Sequence, residues 1–133
     1  MTPDLLKNIV LVGAGSCIGG IFRYLISVLM NGKGFPWGTL AVNLLGCLFI
    51  GVLWGWFTKA GNAAGSLAVF LTVGFCGGFT TFSTFSKEAL AMLQQGNFWL
   101  FAAYITVSVI VGILFVAAGY WIAGGGSYLS PFK

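Results

Sequence analysis

Apolar residues run along this chain in long stretches separated by short polar clusters. A helix needs about 20 mostly apolar residues to cross the hydrocarbon core of a bilayer. Four stretches reach that length, at about residues 5–30, 37–57, 63–93 and 98–123. The first is interrupted only by Arg23, and Asn31-Gly32-Lys33-Gly34-Phe35-Pro36 forms the turn that follows. Lys59-Ala60-Gly61-Asn62 closes the second, and Gln94-Gln95-Gly96-Asn97 separates the third from the fourth. Gly124-Gly125-Gly126 ends the fourth, and a loose tail is expected to Lys133. Trp37, Trp54, Trp56, Trp99 and Trp121 fall near segment ends, where interfacial tryptophans belong. The pattern predicts an all-α integral membrane protein, one transmembrane domain over residues 1–133 with no soluble domain.

The third segment departs from an ordinary spanning helix. It contains Gly74-Phe75-Cys76-Gly77-Gly78-Phe79-Thr80-Thr81-Phe82-Ser83-Thr84-Phe85-Ser86. Glycine costs about 1 kcal/mol relative to alanine in a helix, so Gly77-Gly78 predicts a break, near residues 75–80. Thr80, Thr81, Ser83, Thr84 and Ser86 follow it, and Phe79, Phe82 and Phe85 recur every third position. A helix broken at membrane depth exposes backbone groups that lipid cannot satisfy, so the break must face protein, water or an ion.

Composition narrows the chemistry. The 133 residues are 59% hydrophobic and 6% charged, without histidine, and the mean hydropathy is +1.01. Asp4 and Glu88 are the only acids, both near segment ends. An enzyme built on acid–base pairs, or a His/carboxylate metal site, is thereby excluded. Cys17, Cys47 and Cys76 show no CxxC spacing and read as small buried apolar residues. The single Lys7 precedes an apolar run too long for a signal peptide, so the first segment is expected to remain as a span. Gly15/Gly19, Gly51/Gly55 and Gly74/Gly78 have the spacing of close helix packing.

Four spans put both termini on one side, with Lys7, Lys59 and Lys133; Lys33, Lys87 and Arg23 belong to the other. This balance gives no preferred orientation. Such a chain inserts both ways up and pairs antiparallel, or its few loop charges are too weak a signal to read. The net charge of +4 and the scarcity of acids favour an anion over a cation. Arg23 either snorkels or draws anions into a vestibule. Asn43 is either helix–helix glue or a donor to a passing anion. Tyr104 and Ser108 share a helix face with Gly112 next; with the hydroxyls after the break they form a candidate polar track, or the serine bonds back to its own helix. The positive edges of Phe82 and Phe85 suit a dehydrated anion, where plain packing is the alternative.

The run from Gly74 to Phe85 resembles the signature of the CrcB/Fluc bacterial fluoride ion channels. Gly38-Thr39-Leu40-Ala41-Val42-Asn43-Leu44-Leu45-Gly46 and Gly19-Gly20-Ile21-Phe22-Arg23-Tyr24 are similar to that family's second- and first-helix motifs. The resemblance covers all four spans. It implies a dual-topology antiparallel homodimer in the bacterial inner membrane, with two fluoride pores and no nucleic-acid partner. Phe82 and Phe85 would line the pore, Asn43 would donate to the ion, and Tyr104, Ser108, Ser83 and Thr84 would form the track. Arg23 would sit in the vestibule. The backbone carbonyls of Gly77 and Thr80 would hold a structural Na+ at the dimer axis. Gly112 supplies no donor at the far end of the track. The implied activity is passive, fluoride-selective export that confers fluoride resistance. A small dual-topology drug/proton exporter is the rival with comparable spans, but it requires an intramembrane carboxylate. A purely structural membrane subunit leaves the hydroxyl and phenylalanine run without a role.

Overall fold

Helix α1 (Pro3–Met30) starts where Thr2 Oγ1 accepts the Leu5 N–H at 3.2 Å. Pro3 sits in its first turn, where a missing N–H costs nothing, and Asp4 complements the helix dipole there. The computed structural model describes residues 1–32, 34–62 and 65–125, which are helix and turn without strands. Helix α2 (Trp37–Ala60) begins under the end of α1, where Asn31 Oδ1 accepts the Gly38 N–H at 2.7 Å and the Thr39 N–H at 3.4 Å. It ends on Gly61, whose left-handed φ of 71° suits glycine. With Lys59 favourably placed in the last turn, α2 runs three residues past the expected Phe57. Spans α3 (Ser66–Gln94) and α4 (Phe98–Ile122) complete the fold, and all four are long and apolar enough to cross a membrane. Lys33, Lys133, Gly126 and the expected third start at Ala63 lie outside the described residues.

Within α3 the expectation for Gly77-Gly78 is corrected. Both glycines are helical, in the segment Gly77–Phe79 that follows π-helical turns over Val69–Cys76. Thr80 (φ −91°, ψ 161°) and Thr81 (φ −149°, ψ 117°) are extended, and helix resumes over Phe82–Gln94. At Gly78 close packing outweighs the glycine propensity cost. A Cβ on Gly78 would run into the Ser16 backbone, and one on Gly15 would lie 2.5 Å from the Phe70 carbonyl oxygen. α1 and the first part of α3 therefore cross at backbone contact.

A second close crossing joins α2 and α4. A Cβ on Gly51 would meet the Val116 carbonyl, one on Gly55 would stand 2.6 Å from the Tyr120 carbonyl oxygen, and one on Gly119 would meet the Leu48 carbonyl. All three glycine pairs noted in the sequence thus lie at helix crossings. α4 carries its own π turn over Val107–Val111, beside α2. Such turns interrupt the regular ladder and occur often at functional sites.

Candidate functional site

The extended residues Thr80 and Thr81 are held by α2. Asn43 Nδ2 donates to the Thr81 carbonyl at 3.1 Å, and the Thr81 N–H donates to Asn43 Oδ1 at 2.8 Å. One side chain satisfies both backbone groups of one residue. Gly46, one turn along, has no Cβ, which leaves the space that the Thr80 methyl fills. Thr81 Oγ1 then accepts the Thr84 N–H at 3.2 Å and caps the resumed helix. Thr80 Oγ1 bonds back to the Cys76 carbonyl at 2.9 Å.

This bracket frees specific atoms. In an uninterrupted helix the Thr81 N–H would bond the Gly77 carbonyl; here Asn43 takes it, and the Gly77 carbonyl has no backbone donor among the described residues. Gly77 borders open space, since a Cβ there would meet nothing within 4 Å. The Asn43 amide keeps its second N–H, because an NH2 carries two donors and Thr81 uses one. Asn43, Gly77, Thr80, Thr81 and Phe82 border one cavity of about 330 Å³. The Gly78 carbonyl, also beyond the reach of its helix, accepts from Arg23 Nε at 2.9 Å. Arg23 therefore caps the end of the Gly77–Phe79 turn and places its positive charge at a helix C-terminus.

The phenylalanines separate. Phe79 is buried and stacks on Phe75 with centroids 5.6 Å apart. Phe82 is 80% exposed, whereas Phe85 is 9% exposed. The rings of Phe82 and Phe85 lie 5.9 Å apart, and Phe85 approaches Tyr104 at 5.0 Å. Phe82 and Phe85 thus connect the cavity to Tyr104 on α4. Ser108, one turn beyond Tyr104, has a buried hydroxyl that makes no hydrogen bond. Thr84 is half-buried on the cap, while Ser83 is exposed.

Residues 10–120 match the family model described as CrcB-like protein, Camphor Resistance (CrcB). The chain belongs to the CrcB family. This CrcB chain is 43% identical over 121 residues to the fluoride-specific ion channel FluC of Phocaeicola vulgatus, covering 89% of this chain and 99% of that protein. It is 44% identical to the fluoride-specific ion channel FluC of Leptospira interrogans, covering 87% and 94%. It is 45% identical to the protein of the same name in Agrobacterium fabrum, covering 84% and 92%. With its four spanning helices, this CrcB chain is a multi-pass bacterial membrane protein.

The CrcB fold also brings Glu88 and Thr39 to Tyr104. Tyr104 Oη donates to Glu88 Oε1 at 3.4 Å, so Glu88, near the end of α3, is half-buried against α4. Thr39 is fully buried, and its hydroxyl faces the same two side chains. Thr39 and Asn43 are spaced i, i+4, which is the signal that places both on one face of α2. Among the described residues no three His, Cys, Asp or Glu side chains converge on a metal site.

Proposed function

We propose that this CrcB chain is a passive, fluoride-selective channel that lets fluoride leave the bacterial cytoplasm. The observation that carries the reading is its near full-length similarity to relatives named as fluoride-specific ion channels. The site is chemically suited to the task. Moving a bare ion out of water costs tens of kcal/mol, so each lost water needs a substitute. The spare N–H of Asn43, the edges of Phe82 and Phe85, and the hydroxyls of Tyr104 and Ser108 are such substitutes. Ser83 and Thr84 remain the less favoured contributors, because Ser83 is exposed and the Thr84 N–H serves the cap. Arg23 supports an electropositive entrance while it caps Gly78.

The working unit of this reading is an antiparallel, dual-topology homodimer with two pores, in which the extended pair Thr80–Thr81 lies at membrane depth. The balanced charges support it, and so does the exposed ring of Phe82. The carbonyls of Gly77 and Thr80 fit a hard monovalent cation, because Gly77 offers an oxygen with no backbone donor beside open space. A bound Na+ would supply positive charge where unpaired carbonyls meet. Asn43 sets that arrangement, by taking the N–H that would otherwise occupy the Gly77 carbonyl.

The test is fluoride efflux from liposomes that contain only the purified protein, read with a fluoride electrode and with potassium carried by valinomycin. Fast fluoride release, negligible chloride release and indifference to a proton gradient are expected. No fluoride release from folded protein overturns the channel. Release that stops when the proton gradient is collapsed favours the drug/proton exporter, with Glu88 as its carboxylate.

A further inference from the structure

Two thiols border the cavity at Thr80–Thr81 and serve no part of the anion path. Cys47 lies one turn beyond Asn43 on α2, and Cys76 immediately precedes Gly77 on α3. Neither is in a disulfide. Cys76 is 2% exposed, so only a small species reaches it. Gly112 leaves room on the α4 side, where a Cβ would stand 3.4 Å from Cys47 Sγ. No carboxylate borders the cavity, and its walls are largely apolar. Thiolates are soft ligands that select soft metals, whereas hard cations seek carboxylate and carbonyl oxygen.

We propose that Cys47 and Cys76 form a two-thiol site for a soft cation of the Hg2+, Ag+ or Cu+ class. Each thiol gives up its proton to water, two S–H bonds break, two S–metal bonds form, and no oxidation state changes. The bound cation fills the cavity beside Asn43 and Phe82. That occupancy shuts the fluoride path rests on the channel reading; the binding itself does not.

The probe is Hg2+ in chloride buffer, where the ion carries chloride in place of hydroxide and the released protons come from the thiols alone, added to full-length Cys17→Ser protein, which removes the exposed third thiol. One Hg2+ per chain, two protons released per ion, and a tenfold or greater loss of fluoride efflux reversed by dithiothreitol are expected. In the same background, Cys47→Ser or Cys76→Ser weakens binding at least 100-fold and makes efflux mercury-resistant. One proton per ion, two ions per chain, or undiminished binding in either serine variant overturns the site. The proton count needs neither variant to fold. Two-proton binding with unaltered efflux overturns the blockade, whereas two-proton binding in protein that never conducts fluoride retains the site and sinks the channel reading.

Discussion

Helix α2 carries glycines toward both α4 and α3, and the two seams use them differently. Toward α4, Gly51 and Gly55 admit the backbone at Val116 and Tyr120, and Gly119 returns the contact. That seam is backbone against backbone. Toward α3, Gly46 admits side-chain atoms, the Thr80 methyl foremost, and Asn43 one turn earlier binds a stretch of chain that is not helical. A glycine beside an apolar helix thus gives adhesion. A glycine beside an amide holds backbone polar groups in a place that would otherwise penalise them.

The strongest challenge to this contrast is Gly119→Val. Its side chain meets the Leu48 backbone, which cannot yield as a side-chain tip can. We expect a loss of at least ~3 kcal/mol, the upper end for overpacking, read as a lower melting temperature and less monodisperse protein in detergent. A variant as stable as the parent would mean that the α2–α4 seam is not sterically closed.

Asn43 sharpens the polar side. Asn43→Asp keeps an oxygen for the Thr81 N–H but loses the amide donors. Loss of a hydrogen bond to a charged group costs about 1.5–3 kcal/mol, so fluoride efflux should fall ~10–100-fold while the protein still folds. Asn43→Ala abandons both Thr81 groups and should also melt earlier. Equal melting temperatures for the two variants would sink the bracket.

Phe82→Ile and Phe85→Ile separate conduction from packing. Both should lower efflux, by ~10-fold if an aromatic edge contact is worth about 1 kcal/mol or slightly more. Only Phe85→Ile should also cost ~1–3 kcal/mol of stability, because Phe85 is buried between Phe82 and Tyr104. Matching thermal shifts would show that the two rings do not differ in this way. The smallest effect is expected for Ser108→Ala. Removing an unbonded buried hydroxyl should leave stability unchanged or raise it by up to ~1 kcal/mol, while efflux falls. A clear thermal loss would mean that the hydroxyl has a structural partner.

Spans were readable because length and hydropathy alone determine what crosses a bilayer. Asn43, Phe82 and the hydroxyl-rich stretch were conspicuous because polar residues are rare in this chain. The conformation at Gly78 was misread because propensity is local, whereas the need for a missing Cβ against Ser16 comes from a helix about 60 residues earlier in the chain. The contact of Glu88 with Tyr104 was not readable for a similar reason. Its position along α3 looked peripheral, and only the fold brings Tyr104 of α4 to it.

The extended pair Thr80–Thr81 also acts as a rotary coupling. Helical phase advances ~100° per residue, and two residues outside that geometry reset it. Phe79 and Phe82 are therefore not neighbours on one helical stripe, although their spacing suggests it. One residue inserted at the joint would turn the whole Phe82–Gln94 helix by about a quarter turn or more, swinging Phe82, Phe85 and Glu88 away from their partners at once. The length of this joint is therefore as tightly constrained as any side chain in the site.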